Sequence, residues 1–309
     1  MRKLYLAFLF LSLKLFAQQD TYLSLIDYQM PLINPAHAGV EGQSFAFNSR
    51  NQWASIEQSP KTIAFTYSMA RGKNVGLGVS VISDEVFIEK QTFLAVDFSY
   101  KLTLSNDSKI FLGLKAGMNS FRANTTNLTS YSQTVDPAKK DMSRLNPNIG
   151  VGLLLQNKTY WFSASIPRLF NAKRNEEIYL NARDRVHFYM AGGKTFIINE
   201  NLNIEPRFIY RTSSGIKSIA EGMVWASYKT KFDFGIGIRT ASVMSYKIKL
   251  DLSEMISISY AYDTFGGLNN VMNQLSAHEF GLKIRLNKKS IVKDEVEQDQ
   301  IDLTDDSLN

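Results

Sequence analysis

Apolar side chains recur at every second position through most of this 309-residue chain, in segments of about ten residues. In Ile256-Ser257-Ile258-Ser259-Tyr260-Ala261-Tyr262, the large apolar and aromatic residues take one face and Ser257, Ser259 and Ala261 the other. Phe232-Asp233-Phe234-Gly235-Ile236-Gly237-Ile238-Arg239 and Phe280-Gly281-Leu282-Lys283-Ile284-Arg285-Leu286 repeat the pattern. Period two is the signature of a strand with one face in oil and one against polar matter. About fourteen such segments are readable: 45–54, 61–71, 74–83, 92–104, 109–121, 147–156, 159–168, 185–197, 201–211, 216–228, 231–240, 245–251, 254–263 and 278–287.

The polar faces separate a soluble sandwich from a membrane barrel. A solvated sheet face carries Lys, Glu and Thr freely, whereas here much of that face is Gly, Ser and Asn. Charges such as Asp97, Lys101, Lys115, Arg207, Lys247 and Lys283 stand among them. Small residues beside charges suit a crowded, wet lumen. The expected fold is therefore all-β, a transmembrane antiparallel β-barrel of the outer-membrane type.

Connector lengths alternate in support of this. Stretches such as Arg71-Gly72-Lys73-Asn74, Ser105-Asn106-Asp107-Ser108, Gln156-Asn157-Lys158-Thr159 and Asp251-Leu252-Ser253-Glu254 read as tight turns. The connectors between them, 84–91, 122–146, 169–184 and 264–277, read as long and polar, with shorter ones at 55–60, 212–215 and 241–244. Barrels of this kind turn tightly in the periplasm and loop outside the cell, which places both ends of the barrel on the periplasmic side.

Composition divides the rest of the chain. Residues 1–17 read as a signal peptide: Arg2 and Lys3 precede the apolar run Leu4 to Leu13, and Ala17 is a cleavage residue before Gln18. The mature protein is expected in the Gram-negative outer membrane. Residues 18–44 form an N-terminal periplasmic or plug segment, 45–287 the barrel, and 288–309 an acidic, disordered periplasmic tail. The formal charge of +6 falls to +3 without Arg2, Lys3 and Lys14. The tail has three lysines against seven acidic residues, so about +7 falls on residues 18–287. A basic interior is read either as charges that pair across a wet lumen or as a path for anions.

Candidate chemistry is sparse. There is no cysteine, and the three histidines, His37, His187 and His278, lie in separate regions. Ser163 and Asp184 are the partners considered for His187, but nothing marks them as a nucleophile and base. No metal-ligand spacing or phosphate loop is present, so neither catalysis nor a cofactor is expected. Basic residues are spread over the strands, which argues against nucleic-acid binding. Gly76-Leu77-Gly78 lies within a strand segment and is read as close packing inside the wall. Trp53, Trp161 and Trp225 are read as membrane-interface residues.

One ordered set of short motifs remains. Asn34-Pro35-Ala36-His37-Ala38-Gly39 is followed by Arg50-Asn51-Gln52-Trp53 and Ser59-Pro60-Lys61-Thr62. Gly76-Leu77-Gly78 with Asp84, Asn148-Ile149-Gly150-Val151-Gly152, Tyr260-Ala261-Tyr262-Asp263 and His278-Glu279 come after. Taken in order, these resemble the PorP/SprF family of type IX secretion system outer-membrane proteins from Bacteroidetes. That family opens on Asn-Pro-Ala-Tyr-Ala-Gly, so His37 stands where tyrosine is usual.

The resemblance implies a non-catalytic barrel that helps deliver or retain secreted surface proteins of the adhesin type, with other type IX secretion components as partners. A small-solute or anion channel is the alternative, and a barrel hydrolase a third. Asn34, Pro35, Ala36, His37, Ala38, Gly39, Arg50, Gln52, Trp53, Pro60, Tyr262, Asp263, His278 and Glu279 are the motif residues, expected to be structural or partner-binding. Arg50 and Gln52 share one face of the first strand and are placed to hold the N-terminal segment inside the lumen. A surface for a periplasmic partner is the other reading of that segment.

Overall fold

The computed structural model describes residues 22–53, 56, 58–125, 141–170, 185–240, 242–266 and 276–286. The signal peptide, the acidic tail and Asp184 lie outside them. Strands β1 (Ser44–Gln52), β2 (Lys61–Arg71), β3 (Val75–Val86), β4 (Glu89–Thr103) and β5 (Ser108–Ala123) follow one another as an antiparallel meander. It continues through β6 (Met142–Asn157), β7 (Tyr160–Ile166), β8 (His187–Lys194), β9 (Phe196–Asn199) and β10 (Leu202–Ser213). The last strands are β11 (Ile216–Tyr228), β12 (Phe232–Arg239), β13 (Val243–Asp251), β14 (Ile256–Phe265) and β15 (Ser276–Arg285). β15 pairs with β1, from Ser44↔Arg285 to Gln52↔Ala277, and closes the sheet. Because β8 and β9 are two pieces of one wall strand, the result is a closed fourteen-strand antiparallel barrel.

That break has a local cause. The register Arg207↔Gly193 and Ile204↔Phe196 places Lys194 and Thr195 opposite Pro206 and Glu205. Proline donates no ladder hydrogen bond, so pairing lapses where Pro206 faces β8.

Alternation fixes the two faces. On β12, Phe232, Phe234, Ile236 and Ile238 are exposed, whereas Asp233, Gly235, Gly237 and Arg239 are buried. The outward row belongs to a band that includes Phe65, Leu94, Val96, Phe98, Leu114, Val224 and Phe280. A closed cylinder leaves no unpaired sheet edge in the lipid, and its apolar exterior is solvated by acyl chains.

Two expectations need correction. The connector 84–91 is not a long loop: β3 and β4 run on to Val86↔Glu89, with Asp84 opposite Gln91 and a Glu85–Lys90 ion pair at 3.4 Å. Likewise β5 and β6 extend into 122–146 as far as Ala123↔Met142. These extensions carry polar and apolar residues without regular alternation, as in Glu85-Val86 and Ser143-Arg144-Leu145, so they lack the pattern that the lipid imposes on the rest of the wall. The tryptophans also differ from expectation: Trp225 is 1% exposed inside the barrel, and the Trp161 indole donates inward to Glu205 at 3.1 Å.

Candidate functional site

The lumen is filled from within the same chain. Three single 3-10 turns, Ile26–Tyr28, Met30–Leu32 and Pro35–His37, lead toward β1, and most of their side chains are buried. Leu23, Ile26, Met30, Leu32 and Ile33 pack with Ala64, Ala191, Ile209, Met223 and Trp225 of the wall. A chain in this position must satisfy its backbone without water, and short turns do so locally.

Asn34 starts the last turn and fastens it. Its Oδ1 accepts from the Ala36 amide at 2.9 Å while its Nδ2 donates to the Leu153 carbonyl at 3.0 Å and Ser163 Oγ at 2.7 Å. Pro35 supplies the fixed φ of the first helical position. The carbonyl of Ala38 accepts from Ser99 Oγ at 2.6 Å, and the Gly39 amide donates to Ser68 Oγ at 2.5 Å. Gly39 has φ +75°, and a methyl group there would meet the Gly76 backbone.

The wall glycines have a specific role. A Cβ at Gly152 would overlap the Asn34 side chain, at Gly113 the backbone of Pro35 and Ala36, and at Gly76 the carbonyl of Ala38. These positions on β3, β5 and β6 form a groove that lets the segment's backbone lie against the wall. The Gly-rich polar face is thus a surface shaped to one occupant.

Charges tie the segment to the rest of the circumference. Arg50 donates to Asp263 at 2.8 Å, Glu279 at 3.2 Å and Ser24 Oγ at 3.1 Å. Glu279 in turn accepts from the Ser24 and Leu25 amides at 2.6 and 2.9 Å. Asp27 accepts from Arg207 at 2.8 Å and from the Trp225 indole at 2.9 Å. Tyr22 donates to Glu221, which also pairs with Lys247 at 2.8 Å. Lys115, paired with Asp97 at 2.7 Å, donates to the Pro31 carbonyl, and Lys283 to that of Tyr28. Inside a low-dielectric barrel, such charges are tolerable only when matched, and carboxylates answer these cations one by one.

The motif residues fall into distinct places. Asn34, Pro35, Ala36, His37, Ala38 and Gly39 lie in the lumen, and Arg50, Asp263 and Glu279 join in one buried cluster. Tyr262 and His278, adjacent in sequence to those carboxylates, face the other way, with ring centroids 5.2 Å apart. Gln52 does not share the role of Arg50: its backbone amide donates to the Pro60 carbonyl at 3.0 Å, and among the described residues its side chain makes no hydrogen bond to the segment. Trp53, at φ +57°, turns the chain beyond β1 and donates its amide to the Ser276 carbonyl.

His37 meets Ser163 Oγ at 3.2 Å and stands edge-on to Trp161. Burial lowers its pKa to about 4, against a smaller upward pull from Glu41. It is therefore neutral and a poor base at neutral pH. Among the described residues, no group of three or more His, Cys, Asp or Glu forms a metal site. Sequence reading missed Tyr22, Ser24 and Asp27 as anchors. Their only signal was polarity recurring within an otherwise apolar stretch.

A closed fourteen-strand cylinder with an apolar exterior and its own N-terminal segment inside defines an outer-membrane β-barrel protein. The chain matches the family described as type IX secretion system membrane protein PorP/SprF over residues 15–284 and belongs to it. No curated protein matches the sequence. Among solved structures, it is similar to the CymD monoaromatic hydrocarbon channel, with a TM-score of 0.48 and 11% identity over 83% of this chain and 91% of that one. Omp33 of Acinetobacter baumannii gives a TM-score of 0.43 and 10% identity over 80% and 100% of the two chains. For the toluene transporter TodX of Pseudomonas putida, the values are 0.45 and 10% over 86% and 93%. Similarity at that level carries no function across.

Proposed function

We propose that this protein is a non-catalytic, plugged barrel that helps deliver or retain secreted surface proteins of the adhesin type and links them to the periplasmic secretion machinery. In this reading residues 1–17 direct export and are removed, 18–44 act as the plug, and 288–309 extend into the periplasm. The observation that carries it is the seating of residues 22–42, which are bonded around the barrel where most of the described lumenal charges stand in ion pairs. A conducting pore needs an open path with charges available to its ions. A scaffold needs a rigid wall and rims free to bind.

Two measurements test the reading. In planar bilayers, the purified protein should conduct little, and purification from solubilised outer membrane should bring secretion components and a secreted surface protein with it. A deletion strain should leave one or a few surface proteins unexported or unanchored while nutrient uptake continues. Normal surface proteins with impaired uptake of a small anion would replace this reading with the channel.

A further inference from the structure

The Asn148-Ile149-Gly150 motif supports a residue that the secretion reading leaves unused. Beyond β7 the chain runs on beside β6 as far as Phe170. A Cβ at Gly150 would overlap the Pro167 carbonyl, so only glycine lets that segment approach. The Leu169 amide donates to the Ile149 carbonyl at 2.8 Å. Asn148 exchanges two hydrogen bonds with the Phe170 backbone, both 3.0 Å. Pro167 packed on Gly150 and these three hydrogen bonds thus hold Arg168 in place.

Arg168 points its guanidinium over the Phe93 ring, 5.5 Å from the centroid. It is half-buried, yet among the described residues it has no carboxylate within ion-pair distance and no hydrogen-bond partner. The other interior cations described above are matched. A fork of donors partly withdrawn from water and left without a protein partner is open to a ligand that can accept from it.

Beside it lies a cavity of about 90 Å³, several times the space one water needs. Leu32 and Ile33 of the plug and Ile82, Phe93 and Ile209 of the wall give it an apolar body. Arg211 adds a second cation, and Asp84, bonded to Thr62 at 2.6 Å, puts a negative charge in the lining. The lining comes from strand ends beside the longer connectors, so the cavity belongs to the end opposite the tight turns.

We infer that this cavity binds a small amphipathic monoanion, an apolar body bearing one carboxylate, with Arg168 as the anchor. The guanidinium takes the carboxylate in a forked contact, the aliphatic walls take the body, and Asp84 opposes more highly charged anions. Part of the floor is plug, so the site exists only while the plug is seated. It does not depend on the secretion reading, since ligand binding and surface-protein export are measured separately.

Calorimetry on the detergent-solubilised full chain tests it, with hexanoate, hexan-1-ol and inorganic phosphate as probes. Hexanoate should bind at least about tenfold more tightly than hexan-1-ol, and phosphate should not compete. Arg168→Gln should bring hexanoate to the level of the alcohol, while Arg168→Lys, which keeps the charge without the fork, should fall between. Equal binding of acid and alcohol, unchanged binding in Arg168→Gln, or no hexanoate binding up to ~10 mM would overturn the assignment. If Arg168→Gln does not assemble, the acid-to-alcohol comparison on the wild type decides it.

Discussion

Arg50 and Glu279 are register partners across the seam where the first and last strands close the barrel, and their side chains meet inside at 3.2 Å. The same guanidinium reaches Asp263 at 2.8 Å, and all three residues are almost fully buried. Barrel closure and plug retention thus share one ion cluster, since Glu279 also holds the Ser24 and Leu25 amides.

Removing the cation should therefore cost more than removing a surface charge. Arg50→Ala leaves Glu279 without its cation and Asp263 with Arg239 alone, at 3.3 Å, with an expected loss of about 3–5 kcal/mol. Arg50→Lys should recover only part of it, because one ammonium cannot replace a forked guanidinium. Urea unfolding of the detergent-solubilised protein, followed by its heat-modifiable migration, reads both.

The glycine groove separates plug from wall. Gly152→Val and Gly113→Val should leave the barrel assembled but displace the segment, because the new side chains would occupy the positions of Asn34 and Ala36. Conductance should rise, and the N-terminal segment should become open to added protease. Unchanged conductance with exposed N-terminal sites would show that the wall, not the plug, closes the pore.

At Gly39 the constraint is the backbone. Its φ of +75° and its contact with Gly76 make alanine unfavourable, by about 1 kcal/mol or more. Pairing Gly39→Ala with Pro35→Ala should loosen the segment without unfolding the barrel. Loss of partner binding at unchanged conductance would favour the contact-surface role of this element.

His37 gives the plug a pH dependence of known sign. Its ring borders a small void inside the barrel, and burial lowers its pKa to about 4. The released segment would titrate near ~6.5, so it takes a proton that the seated one refuses. Seating is therefore fully favourable above that value and weakens as pH falls toward 4, by on the order of 1–3 kcal/mol. Protease accessibility of the segment measured against pH should show the slope in the wild type and lose it in His37→Asn.

Orientation is tested by position. An epitope placed between residues 126 and 140 should be reachable on intact cells, and one placed after Leu286 only once the outer membrane is opened. Labelling of the tail on intact cells would reverse the assignment. Alanine at His187 and His278 should leave surface-protein export intact if the barrel assembles.

What the sequence determined was the wall. Phe232 to Arg239 could hardly be read otherwise, because in a strand neighbouring side chains must point to opposite faces, and a lipid-facing row must be apolar. The same logic supplied the strand number and the tight-turn end. It stopped short at Asp84–Gln91, where Val86, Phe87 and Ile88 run together between polar residues and periodicity no longer marks a strand.

Only the tertiary structure decided what the lumen holds and which charges meet. Nothing local in Arg50, Asp263 and Glu279 says that they converge, nor that Gly152 waits for Asn34 and Gly150 for Pro167. Those pairings depend on closing the sheet, which brings residue 50 beside residue 279 and places the N-terminal segment against strands from the whole circumference. Alternation encodes the face on which a side chain stands, a property of a residue and its neighbours. The partner it finds there is a property of the closed cylinder.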